Sequence, residues 1–301
     1  MGRITAAALA RQGSKVVLVV RNHSAGWQLR EFIMGQVPSG DVEVLAGDLS
    51  SQRELHRIAG EFIAEHERLD LLINNAGAHF RTRRFNDAGI EMHIAVDYLA
   101  AFTLSYLLLP RLRAAAPARV VNVVSRVVND TRQIPIRRRP RPPRIDREHL
   151  EDLRLLNGSS GFTPFDAYGR AKLLTVMAGY YLAEEIAKEK FSVNSLHPGL
   201  ANTDILDDIA HPFVRPLQPL TRRLFPPAEV GAQAIIRLAT AREFRDTTGS
   251  YFNRTVATRT PSHSYDRDLQ RKLWETSVNY VENPLLWTSS PPSTAVRGTG
   301  S

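Results

Sequence analysis

Residues 71–77 read Leu-Leu-Ile-Asn-Asn-Ala-Gly. Three apolar residues followed at once by two amides and a glycine describe a buried strand that stops at a polar turn. In open α/β sheets, ligands bind at such carboxyl ends of strands. Outward from this stretch the pattern repeats. Val16-Val-Leu-Val-Val20, Val42–Leu45, Val120–Val124 and Ser192–Leu196 read as further strands, and Tyr251–Phe252 as a weak sixth. The intervals carry helical periodicity at about 2–12, 26–36, 52–66, 89–114, 168–188, 228–240 and 265–281. Apolar strands alternating with amphipathic helices predict an α/β fold: a doubly wound parallel sheet with helices on both faces.

The chain has 301 residues, 43% of them hydrophobic, enough for one large core. We expect one domain over 1–281, interrupted by an Arg-, Pro- and Gly-rich insertion at 130–165, and a disordered tail at 282–301. There is no Cys, which excludes disulfides, zinc–thiolate sites and cysteine nucleophiles. The net charge of +8 invites a nucleic-acid reading. Residues 132–144 hold six Arg and no acid, however, and setting them aside leaves +2. The basic character is a local property, and no nucleic-acid partner is expected. The most apolar stretch, Ala95–Leu109, is too short to span a bilayer and contains Asp97.

Four landmarks occur in order. Asn74-Asn-Ala-Gly77 follows the Leu-Leu-Ile strand, and Ser125 follows Val120–Val124. Tyr168-Gly-Arg-Ala-Lys172 opens a long helix, and His197-Pro-Gly199 follows the Ser192–Leu196 strand. Singly, each is an ordinary turn or helix pair. Together, each at or just after a strand end, they describe one site. Tyr168 and Lys172 are four apart and share a helix face. A nearby ammonium favours a phenolate, so Tyr168 suits general acid/base work on a substrate oxygen. Ser125 would hydrogen-bond that oxygen.

On these residues the chain resembles the short-chain dehydrogenase/reductase family, most of all its retinol-dehydrogenase-like and WW-domain-oxidoreductase-like branch. The likeness also covers Asp48-Leu49, Pro227-Ala-Glu-Val-Gly231, Gly249-Ser-Tyr-Phe252 and Arg271-Lys-Leu-Trp-Glu275. It implies a Rossmann-like sheet and hydride transfer between a nicotinamide and a small-molecule carbonyl or alcohol. It also implies catalytic Ser125, Tyr168, Lys172 and, at the fourth position of the family's tetrad, Asp97. Lys172 would bind the nicotinamide ribose, and Thr203 and the backbone at Pro198 and Gly199 the carboxamide. Asp48 would accept from the adenine amino group, with Leu49 beside it. Gly2, Asn75, Ala76 and Gly77 would line the cofactor cleft. Arg21 follows the second strand of the family pattern, where it suits the 2′-phosphate, so NADP(H) is expected over NAD(H).

Three departures stand out. Gly2-Arg-Ile-Thr-Ala matches the family's first helix from its last glycine onward. The strand and first two glycines expected before it are absent, which would leave two central strands with unpaired edges. We therefore expect a truncated sequence. Asp97 stands where the family has Asn, whose role is to kink a helix; altered activity is expected. Ser125 and Tyr168 are separated by the insertion, which we expect to be a solvated mobile loop more readily than a lid or partner surface. Leu206, Ile209, Phe213 and Leu217 suggest an apolar lid, hence a hydrophobic substrate.

No nucleophile elbow, zinc motif or Walker A sequence occurs, so no metal is expected. A cytoplasmic location is expected; homo-oligomerisation and membrane association stay open. The competing reading is a catalytically impaired nucleotide-binding or scaffold protein on the same fold.

Overall fold

The computed structural model describes residues 1–132, 140–158, 161–199 and 226–288. Six parallel strands and a short return form two sheets. β1 (Lys15–Val20) pairs with β2 (Asp41–Ala46) in one. β3 (Leu71–Asn74), β4 (Ala118–Val123), β5 (Phe191–His197), β6 (Ser250–Asn253) and β7 (Val256–Ala257) form the other in that order, with only β7 antiparallel. One face is covered by α1 (Gly2–Arg11), α2 (His23–Gln36) and α7 (Ala228–Thr240). The other is covered by α3 (Gln52–Glu65), α4 (Ala100–Leu107), α5 (Leu109–Ala115), α6 (Pro164–Glu185) and α8 (Arg267–Glu282). In β4 the alternation is plain: Val121 and Val123 pack against α7, while Val120 faces α6.

The two sheets lie in one plane. Val16 and Leu18 share the α1 side with Leu71 and Ile73, and Val17 and Val19 share the α3 side with Leu69 and Leu72. Both strands start at the same end: Glu43 bonds Lys15 at 2.6 Å and also His66, which leads into β3, at 2.9 Å. Yet β1 and β3 do not pair. Between them lies a cavity of about 910 Å³ lined by all of β1 and by Asp70–Asn74. The structure thus bears out the expected facing edges. Where β1 and β3 are bonded on one side only, amide exchange is expected to be faster than between β4 and β5. Equal protection, read by hydrogen-exchange mass spectrometry, would contradict this arrangement.

Two expectations are corrected. The single helix over 89–114 is three pieces: a π-turn at Ile94–Leu99, then α4 and α5, with a 56° bend at Leu108. Pro110 lies in the first turn of α5 and cannot donate back to the preceding turn, so the helix restarts there. The insertion is not a solvated loop over its described part. Leu150, Leu153 and Leu156 are fully buried in the main core with Val128 and α6. Two of its described arginines are paired: Arg132 with Asp130 at 2.7 Å, and Arg141 with Asp166. Residues 133–139, 200–225 and the tail from 289 lie outside the described residues, and with them Thr203, Leu206, Ile209, Phe213 and Leu217.

Candidate active site

The strand ends bring most of the expected residues to one rim. Ser125 directly follows the last bonded turn of β4 and caps the short helical turn Arg126–Val128, accepting from Val127 N–H at 3.4 Å. Tyr168 lies in the second turn of α6, which starts at Pro164. Its neighbour Gly169 sets the distance between the two elements. A β-carbon there would lie 2.8 Å from Thr131 and 3.1 Å from the Val127 carbonyl. The bare glycine lets the Ser125 turn approach α6, which brings the Ser125 side chain to the Tyr168 hydroxyl.

Lys172, one turn on, is 3% exposed, with its ammonium 5.8 Å from the centre of the Tyr168 ring. It does not serve Tyr168 alone. It bonds the Val123 carbonyl at 3.4 Å and pairs with Asp97 at 3.1 Å. Asp97 is 1% exposed; the Oδ1 that meets Lys172 also accepts from Ala78 N–H at 3.0 Å, while Oδ2 has no partner. The carboxylate reaches this position from the π-turn, so the helix distortion expected at this residue is present. The Asp97 carbonyl accepts from Thr175 Oγ1 at 2.9 Å. Gly77 makes room for the pair. A β-carbon there would be 2.7 Å from Asp97 Oδ1 and 3.0 Å from Lys172 Nζ.

The electrostatics differ from the expectation. The Lys172 ammonium was expected to draw the phenol down. Instead, burial pushes the Tyr168 phenol well above its ordinary value, the Asp97 charge pushes the same way, and only the Ser125 bond opposes. With Lys172 compensated by Asp97, desolvation dominates. Burial also lifts the Asp97 carboxyl above the usual range, against the pull of Lys172.

Further along the rim, Gly2 opens α1 beside Asn75; a β-carbon on Gly2 would lie 2.6 Å from the Asn75 amide nitrogen. Met1 and Pro198 both pack at Gly231 of α7. Gly199 has φ of 95°, which a side chain would strain, and its α-carbon faces Arg254. Arg21 is exposed at the end of β1. Asp48, past β2, accepts from Ser50 N–H and Oγ at 2.9 Å each, and Leu49 lines the large cavity with Gly2, Asn75 and Ala76. His197 ends β5, buried and held down to about 4 by desolvation, which suits a neutral structural residue.

Sequence reasoning missed a buried cluster beside Tyr168. Glu91 accepts from His93 Nδ1 at 2.8 Å, His93 N–H at 3.1 Å and the Asn157 amide at 2.9 Å. His93 Nε2 accepts from Phe80 N–H at 2.9 Å. Asn157 lies within the insertion, so this network fastens the insertion to the site. The available signal was a Glu and a His, two apart, at the start of the largely apolar run that also carries Asp97.

Comparison with known proteins agrees with this geometry. A family model described as short chain dehydrogenase matches residues 1–133. Mouse retinol dehydrogenase 14 is 31% identical over 290 residues, covering 92% of this chain and 81% of that protein. Among solved structures, a Mycobacterium paratuberculosis protein superposes with a TM-score of 0.68 at 24% identity, over 94% of this chain and 89% of its own. L-sorbose reductase from Gluconobacter frateurii, complexed with NADPH and L-sorbose, superposes at 0.61 with 19% identity, over 84% and 89%. With strand-end chemistry, helix layers and relatives in agreement, this chain belongs to the short-chain dehydrogenase/reductase family, in its retinol-dehydrogenase-like branch, and is an NAD(P)-dependent oxidoreductase acting on CH–OH groups.

Proposed function

We propose that the protein passes a hydride between NADP(H) and the carbonyl or alcohol carbon of a hydrophobic substrate, with Tyr168 as general acid/base. The observation that carries this is the grouping of buried Tyr168 with Ser125 and, one helical turn on, Lys172 at the strand ends.

The residues fit a dinucleotide. α1 starts without a side-chain cap beside Asn75, so its first turn can face a phosphate, and Gly77 keeps the Lys172 end of the cleft clear. The cofactor, when bound, supplies or accepts the hydride. Gly2, Asn75, Ala76, Gly77, Pro198 and Gly199 would line its binding cleft, with Lys172 on the ribose and Asp48 and Leu49 at the adenine. Ser125 fixes the substrate oxygen, and Tyr168 gives that oxygen a proton in reduction or takes one in oxidation. Burial keeps the phenol protonated, the form that gives its proton when a carbonyl is reduced. The rings of Phe165, Phe80 and Phe162 near Tyr168 and His93 make an apolar wall suited to a hydrophobic substrate.

Arg21 supports NADP(H), because an exposed guanidinium at that strand end can meet a 2′-phosphate bidentately. Arg21→Asp is expected to cut the preference for NADPH over NADH by about tenfold or more. The assay is kcat/KM with each nucleotide on a panel of aldehydes, ketones and retinal. An unchanged nucleotide ratio would remove the NADP(H) assignment, and no turnover with either nucleotide would favour the second reading. That reading, an impaired nucleotide-binding or scaffold protein, draws on the Asp97 carboxylate that occupies Lys172.

A further inference from the structure

His79 leaves the end of β3 two residues after Gly77 and is 6% exposed. Its ring packs 5.0 Å from Phe165 and 5.7 Å from Tyr168, nearly edge-on to the latter, between two side chains that share one face of α6. Both ring nitrogens are sealed from solvent and neither has a hydrogen-bond partner. The nearest imidazole, His93 at 5.6 Å, cannot help. Its Nε2 accepts from Phe80 and its Nδ1 meets the Glu91 carboxylate, which fixes a neutral Nδ1–H tautomer with both nitrogens spent. Those bonds also exclude a metal reading of the cluster, and the described residues hold no group of three metal-capable side chains.

A buried donor and acceptor left unpaired are costly, and folds seldom keep them without a use. Desolvation holds the imidazole down to about 4, so at neutral pH it is uncharged, with one N–H to give and one lone pair to fill. An uncharged ring does not select a carboxylate. It suits a hydroxyl or a carbonyl. The ring contact sets this imidazole beside the catalytic side chain, and Phe165 gives it an apolar neighbour on the other side.

We propose that His79 is a specificity-determining residue that hydrogen-bonds a second oxygen of the substrate, so that apolar α-hydroxy ketones and α-diketones are preferred to simple ketones. This rests on the oxidoreductase reading above. A site that holds an unpaired polar group rejects an analogue lacking the matching oxygen more strongly than an apolar pocket could.

The test compares 2-hydroxyacetophenone with acetophenone, using NADPH, for the wild type, His79→Phe and His79→Gln. The wild type is expected to favour the hydroxylated ketone by about tenfold or more in kcat/KM, mainly through KM. In His79→Phe the ratio of the two kcat/KM values falls to near one. His79→Gln keeps a donor and an acceptor and restores part of the preference. Removing an unpaired buried group is also expected to raise Tm by about 2–4 °C in His79→Phe, whereas a purely structural histidine would lose stability. The same selectivity in wild type and His79→Phe overturns the proposal. Should the wild type turn over neither ketone, the oxidoreductase reading fails for them, and the His79 imidazole ¹⁵N resonances decide. A shift with 2-hydroxyacetophenone but not acetophenone supports the role, and no difference overturns it.

Discussion

Tyr168→Phe is expected to lower kcat/KM by about 10²–10⁴-fold, the usual worth of a general acid, with little change in nucleotide affinity. The substitution removes one oxygen and leaves the ring, which is buried between His79, His93 and the first turns of α6. The lost bond to Ser125 costs about 1 kcal/mol of stability, too little to unfold the chain. Steady-state turnover and a nucleotide titration by fluorescence check both halves. Unchanged turnover would remove Tyr168 from the chemistry. Lost nucleotide binding would make its role one of cofactor placement.

Asp97→Asn is expected to have the next largest effect, with two opposed consequences. The Asp97 charge is one of the two influences that raise the Tyr168 phenol. Removing it leaves the Lys172 ammonium uncompensated beside the ring, which favours the phenolate. The Tyr168 pKa therefore falls, and the rising limb of the pH–rate profile for alcohol oxidation moves to lower pH by about one unit or more. Stability moves the other way. Lys172 is almost wholly buried, and breaking a buried pair by removing one partner costs about 3–5 kcal/mol. Urea unfolding at neutral pH measures the loss. Superimposable pH profiles would show that the carboxylate does not act on Tyr168.

How far the sequence could carry this picture depended on whether a feature is local. Strand cores such as Val16–Val20 and Val120–Val124 advertise themselves, because a strand buried on both faces must be apolar throughout. The Tyr168–Lys172 spacing is likewise a local fact, since residues four apart on a helix are neighbours wherever the helix goes. The pairing of Lys172 with Asp97 is not local. It joins residues from two helices through a gap that only Gly77 permits, and it reverses the direction in which Tyr168 is perturbed. The insertion misled for a related reason. Its Arg and Pro content reads as solvated, yet the leucines at 150, 153 and 156 and the Asn157 amide find partners on α6 and at Glu91. His79 gave no signal because a missing hydrogen bond has no sequence pattern.

The open slot between β1 and β3 divides the cooperativity of the chain. No strand ladder joins the β1–β2 sheet to the β3–β7 sheet. What holds the first 66 residues to the remainder is side-chain packing, chiefly α1 on α7 and α3 on α4, with side-chain hydrogen bonds such as Thr103 to Gln52 at 3.0 Å and Arg111 to the Ile63 carbonyl at 2.9 Å. The packing is non-directional and weakens steeply with distance. The amino-terminal fifth is therefore expected to open as a unit without breaking one interstrand hydrogen bond to the rest, so that global stability is not a single number for this molecule. Arg21 and Asp48 travel with that unit, whereas Ser125, Tyr168 and Lys172 stay with the larger sheet. A nucleotide that touches both sets would act as the missing crosslink, and it would merge two unfolding transitions into one.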